Sequence, residues 1–327
     1  MLTSNWAEFV KGVSARIDEI IDDTKELAPS FQSYGLHKTE QADGQIYRTE
    51  GVTGLSYLQI FDEGDSIDED KTYPAYKTEY VMKQSGKIVS ISQMLMKTRM
   101  SELEAKLDEV RQSMIAANRT LNRWAWTPLI DGFGTTNGND DFPTNRLSDA
   151  VALYSAAHTS KVGGVSNRSN LVSGNPVLSK TSLFTATKQI KEQLNGRGLP
   201  IGYEGKFVLV VPPALEKTAI ELTGSILAPD TTDNNINYYN GVVDVMVVNY
   251  LGAAGNNSAN ANADTSWYVF AKDAGMQSSL RYVSLISPKI EKEVDFDTKS
   301  IRVSVDMACA FGYSNFEYTA ASNGSTS

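Results

Sequence analysis

Hydrophobic and polar positions alternate along this chain in several distinct rhythms, and each rhythm predicts an element. Over residues 4–28, Phe9, Val13, Ile17, Ile20 and Ile21 recur at helical spacing. Lys11, Arg16, Asp18, Asp22 and Asp23 fall off that face, so the segment reads as an amphipathic helix. Ser4 or Asn5 suits its cap, and Pro29 ends it. An extended, exposed stretch follows over 30–51, containing His37.

Residues 51–93 change to a strand rhythm. "GVTGLSYLQIF" and "KTYPAYKTEYVMKQSGKIVSIS" flank a polar tip, "DEGDSIDED". The pair predicts a hairpin with arms of about 15 residues, reaching roughly 50 Å. Two strands alone are marginal in water, so the hairpin is expected to lean on another subunit. The strongest period follows. Met100, Leu103, Leu107, Val110, Met114, Ala117, Leu121 and Trp124 step three and four in alternation. They predict one helix over 98–126, roughly 42 Å long. The same spacing fits a coiled coil; in a chain of otherwise mixed rhythm, a long helix across a sheet is the preferred reading.

Residues 132–180 carry no sustained period and read as irregular chain. A helix over 180–195 places Leu183, Ala186, Ile190 and Leu194 on one face and stops at "GRGLP". The apolar run Phe207–Val211 predicts a strand, Pro212 and Pro213 a stiff joint, and Leu215, Ala219 and Leu222 a helix. "VVDVMVVNYL" (242–251) reads as a buried strand, 252–266 as a loop, and "WYVFAKDAG" (267–275) as a strand. The end of the chain alternates over two or three strands, with "DFDTKSI" as a turn between them.

The chain has 327 residues, room for one large domain or two medium ones. Its net charge of −9 argues against tight nucleic-acid binding through a basic face. The one cysteine, Cys309, lies in the apolar run "VDMACAFGY" and reads as a small buried hydrophobe. A single cysteine forms no internal disulfide. Neither a signal peptide nor a membrane-spanning run is visible.

Candidate chemistry changes the picture little. A strand running into a helix at 207–222 suggests a phosphate cradle, but prolines at the joint offer no N–H groups. "DGFGTTNG" matches no nucleotide fingerprint. Two histidines, His37 and His158, with one cysteine make no zinc set, and there is no G-x-S-x-G elbow. Counted from Asp62, the acidic tip has Gly64, Ser66 and Tyr73 at positions three, five and twelve, which fails the calcium-loop rule. A solvated turn is preferred over a weak Ca²⁺ or Mg²⁺ contact. N-x-S/T matches at Asn118, Asn167, Asn256 and Asn323 carry little weight without a secretory signal. Arg111, Arg119 and Arg123 on the long helix suit a solvated face or an inter-subunit ion pair better than a nucleic-acid contact. No catalytic, cofactor or metal residue is assigned.

The order of parts is an arm, a long two-stranded loop, a long helix, an α/β region and returning strands. That order, with "LYSAAH" (Leu153–His158), Gly163-Gly164, Ser169-Asn170, Leu178-Ser179, "GLPI" (Gly198–Ile201) and "LVVPPALEKTA" (Leu209–Ala219), resembles the major head proteins of tailed bacteriophages. The resemblance implies an α+β Hong Kong 97-type capsid fold and a structural, non-enzymatic protein. It implies an N-terminal arm over 1–50 and an extended loop over 51–93. A peripheral domain would comprise 94–177 and 276–327 with the spine helix 98–126, and an axial domain 178–275. It further implies self-assembly into pentamers and hexamers of an icosahedral head, assembled in the host bacterial cytoplasm and enclosing double-stranded DNA without sequence-specific binding. A separate scaffolding protein, a portal and decoration proteins are the expected partners, and no membrane. Contacts between subunits are expected at Phe61, Tyr73, Tyr76 and Tyr80 of the loop and at Phe9 and Ile17 of the arm. Many members carry a long N-terminal scaffolding segment; here residues 1–50 alone precede the loop, so separate scaffolding, none, or prior removal all stay open. Lys71 and Lys77 lie in the loop without an identifiable cross-linking partner, and no cross-link is expected. The alternatives are an encapsulin-type compartment shell and, more remotely, a soluble α/β enzyme with its site near Tyr203 or His158.

Overall fold

A computed structural model describes the chain except residues 1–2, 26–29, 59, 64–65, 68, 93, 96–99, 136–143, 225–236, 255–260, 273–278, 296 and 326–327; the side chains of 3–10, 21, 24–25 and 100 also lie outside it. Helix α1 spans Thr3–Lys25 and α2 spans Met100–Ala125, close to expectation. Strands β1 (His37–Gln41), β8 (Leu280–Asp295), β9 (Ser300–Tyr313) and β4 (Lys83–Ser92) form one sheet in the order β1-β8-β9-β4. β1 runs parallel to β8 and the other pairs are antiparallel. A second sheet has the order β10-β7-β5-β6, from Thr319–Ser322, Trp267–Ala271, Phe207–Val211 and Val243–Val247. A third holds only β2 (Ile46–Val52) and β3 (Pro74–Val81).

The α2 stripe divides its work between two cores. Leu103, Leu107 and Val110 meet Val13, Ile17 and Ile20 of α1 and Val89, Ile91, Ile301 and Val303 of the first sheet. Met114, Ala117, Leu121 and Trp124 meet Met307, Cys309 and Phe311. The stripe is therefore a helix packed on a sheet of its own chain, and the coiled-coil reading falls. Cys309 is buried, and burial pushes its thiol up to about 12, which leaves it inert.

β5 shows why an unbroken apolar run was needed. Its residues alternate between two cores: Val208 and Val210 face the first-sheet side, Phe207, Leu209 and Val211 the opposite side. That second face is covered by α4 (Lys180–Lys191) and α5 (Glu216–Gly224) through Leu183, Ala186, Ile190, Ala219 and Leu222. A strand buried on both faces has no polar side to show. Between α2 and α4 lies the short α3 (Thr127–Ile130). Ser179 caps α4 in a reciprocal box with Ser182. Pro212 and Pro213 lead through a 3₁₀ turn, Pro213–Leu215, into α5. Among the described residues no helix is long and apolar enough to cross a membrane.

Four expectations change. The long hairpin is shorter and begins earlier: β2 pairs with β3 from Ile46↔Val81 to Val52↔Pro74. Residues 83–92 leave it, because β4 pairs along its whole length with β9. The stretch 30–51 is not free chain: Phe31 is fully buried and β1 sits in the first sheet. His37 is correspondingly buried rather than exposed. β6 is only half-buried, as an edge strand beside β5. Within 252–266, residues 255–260 lie outside the described residues, whereas Ala253 N–H donates to Asp264 Oδ1 at 2.9 Å.

Candidate assembly surfaces

The two-stranded sheet is fixed to the first sheet at its foot. Thr78 Oγ1 donates to the Tyr313 carbonyl at 3.0 Å, and Val81 N–H donates to Asn145 Oδ1 at 3.1 Å. Tyr80 is fully buried with Met82, Val283 and Ala310. Above the foot the ladder closes once more. Thr53 N–H donates to the Tyr73 carbonyl at 2.8 Å, and Tyr73 N–H to Thr53 Oγ1 at 3.0 Å. This neck gathers the loop over residues 53–73, which carries no strand among its described residues.

Beyond the neck the loop turns apolar side chains to solvent. Leu58 is 98% and Ile60 100% exposed, and Leu55, Tyr57, Phe61 and Ile67 are exposed beside them. Scattered apolar side chains are ordinary on a surface; six within one short loop make this a candidate contact surface. Among the described residues no three His, Cys, Asp or Glu converge. Asp70 of the acidic tip accepts both arms of the Arg197 guanidinium at 2.7 Å each. Arg197, then Ser56 through N–H and hydroxyl, hold the Asp70 carboxyl far below the usual carboxylate range.

Of the expected contact residues, Phe61 and Tyr73 are exposed on the loop. Tyr76 is half-buried, its hydroxyl 2.8 Å from Thr159 Oγ1 of the same chain. Tyr80 and Ile17 are corrected: both are fully buried within the chain, and their contacts are internal. The Phe9 side chain lies outside the described residues. Leu58 and Ile60 were missed because "LSYLQIF" reads as a strand, although its lack of alternation was a signal, and Ile67 because it lies inside the polar tip "DEGDSIDED". Arg197 was missed because "NGRGLP" reads only as a helix stop. Arg111 pairs at 3.3 Å with Asp23 of α1 in its own chain.

The histidines are structural. His37 Nε2–H donates to the Ala125 carbonyl at 2.8 Å, and burial lowers its pKa to about 4. His158 Nδ1 lies 2.7 Å from Asp149 Oδ2, with both side chains fully buried. The neighbouring Arg168 pairs with Glu317, whose carboxyl burial pushes up against the pull of Arg168. Such a network holds a joint between segments; no substrate reaches a fully buried pair.

The model of the phage capsid protein family matches residues 75–321, most of the chain. The chain belongs to that family. No curated protein sequence matches it. Among solved structures, the chain is similar to the capsid of bacteriophage PhiM1 at 13% identity and a TM-score of 0.52, covering 87% of this chain and 83% of that one. It is similar to the capsid of Ralstonia phage GP4 at 14% identity and 0.51, covering 85% and 83%. The capsid of cyanophage P-SCSP1u gives 16% identity and 0.50, covering 88% and 85%. These likenesses show the fold, the Hong Kong 97 type, and family membership makes the chain a structural capsid protein of the virion. The enzyme reading at Tyr203 or His158 is set aside.

Proposed function

We propose that this major capsid protein closes into pentamers and hexamers that form an icosahedral head around double-stranded DNA. The observation that carries the reading is the bare apolar loop, Leu58 and Ile60 above all, on a chain whose α2 stripe is buried internally. In a ring each loop lies on a neighbour, and symmetry multiplies one modest contact into a stable shell. Supporting this partition, the second sheet with α4 and α5 forms an axial part, drawn mainly from 178–275. The first sheet with α2 forms a peripheral part from β1, β4, 94–177 and the returning strands, and helix α1 forms the arm. The loop carried by β2 and β3 contributes its apolar part at 53–73. Enclosed DNA is held without sequence readout, and a net charge of −9 argues against tight binding through a basic face. Separate scaffolding, portal and decoration proteins complete the head, which assembles in the host cytoplasm. The family match favours this head over a compartment shell.

Negative-stain electron microscopy of the concentrated protein, with size-exclusion chromatography alongside, tests the proposal. Rings, tubes or closed shells are expected. A compact monomer or dimer that persists on co-expression with the neighbouring genes overturns it.

A further inference from the structure

The loop over 53–73 grows from the two-stranded sheet, which is bound to the first sheet directly at Thr78 and, through Asn145, at Val81. Its neck is nevertheless seated on a different part of the chain. After α4 the backbone makes a tight turn, in which Asn195 Oδ1 accepts from Arg197 N–H at 2.9 Å and Leu199 N–H at 3.1 Å. Gly198 adopts a φ of 82° there. Gly196 lies so close to Thr53 that a Cβ on it would stand 2.7 Å from Thr53 Cγ2. From this braced turn the Arg197 side chain, only 11% exposed, reaches the loop. Its two arms meet Asp70, a further N–H reaches the Lys71 carbonyl, and its guanidinium lies 5.6 Å from the Tyr73 ring centre. Asp70 in turn takes both donors of Ser56 from the opposite side of the loop. One side chain of the α4 unit thus gathers both arms of the loop.

We propose that Arg197 is a positioning residue that clips the loop to the α4 unit, so that the loop moves with the second sheet and not with the sheet from which its strands grow. A planar fork on a carboxylate fixes direction as well as distance, which a single point charge does not. The partner of the exposed apolar surface is then offered a loop whose angle reports the position of the second core. The clip itself is internal to one chain; its meaning in a shell rests on the reading given under Proposed function.

The test is amide hydrogen exchange on the full chain, held below the concentration at which it associates. Asp70→Asn and Arg197→Gln are each expected to speed exchange at the Thr53, Ser56 and Tyr73 amides by about tenfold, with residues 46–50 and 76–81 unchanged. The double variant is expected to match the faster single within about twofold, since one pair is being removed. Unchanged exchange in either single variant overturns the proposal, as does a double variant whose effect is the product of the two. Should Arg197→Gln fail to fold, Arg197→Lys keeps stem and charge and loses the fork. A speeding of about threefold supports the clip there, and none overturns it. A clip confirmed in a wild-type chain that never associates counts against the shell reading and leaves the clip standing.

Discussion

The imidazole of His158 lies flat on the ring of Phe316, with centroids 3.6 Å apart and planes 9° apart. Its edge faces Asp149 at 2.7 Å and the Leu153 carbonyl at 3.2 Å, while Arg168 sits 4.8 Å from the Phe316 ring centre. His158→Ala leaves Asp149 without its principal partner inside the core. A loss of about 3–5 kcal/mol in unfolding free energy is expected by urea denaturation. His158→Gln, whose amide can still donate to Asp149, is expected to recover part of it. Equal losses in the two variants would show that the ring stack, not the pair, carries the effect.

His37 makes stability depend on pH in a defined window. In the unfolded chain it titrates at about 6.5, and in the fold at about 4. Between those values the unfolded state binds more protons, so stability rises with pH through the window and falls as pH drops from 6.5 towards 4. The full difference amounts to about 3 kcal/mol. Urea unfolding at pH 4 and pH 7 measures it, and His37→Gln is expected to flatten the slope. A variant with an undiminished slope would place the dependence on other groups.

Gly312 has no room for a side chain. A Cβ there would stand 2.3 Å from the Asn145 carbonyl oxygen and 3.0 Å from the Tyr80 ring. The backbone contact cannot yield without breaking the Asn145–Tyr313 hydrogen bond at 3.2 Å, next to the foot of the loop. Gly312→Ala is expected to cost about 2–3 kcal/mol and to lower the thermal midpoint. An unchanged midpoint would mean that β9 shifts freely at this point.

The sequence made α2 legible because one face of it is buried for its whole length, and one-sided burial writes a period that survives any partner. The cut at Met82 was harder to see. Thr78, Tyr80 and Met82 are buried at even positions, Val89 and Ile91 at odd ones. The phase flips where the chain passes from the small sheet to the large one. Only the apolar-free run 83–87 marks the change, and it reads equally well as an exposed arm. His37 was misread for a different reason: its acceptor, Ala125, lies 88 residues away. The same holds for Arg197 and Asp70, 127 residues apart. Periodicity reports burial on one element; it carries nothing about which distant polar group will satisfy a side chain.

Leu58 and Ile60 separate folding from assembly. Neither is covered by its own chain, so their replacement removes no internal packing. Leu58→Ser with Ile60→Ser is expected to leave the unfolding free energy of the lone subunit within about 0.5 kcal/mol of wild type. Association should suffer instead, because two fully solvated apolar side chains contribute only when a partner removes them from water, at about 25 cal/mol per Å². Sedimentation velocity across a concentration series reads both species at once. The expected result is a rise of at least about tenfold in the concentration needed for rings or shells, since burial of two such side chains exceeds the 1.4 kcal/mol that a decade requires. An unchanged association curve would mean that these side chains stay in water in the assembled head, and the contact would then have to be sought on another surface.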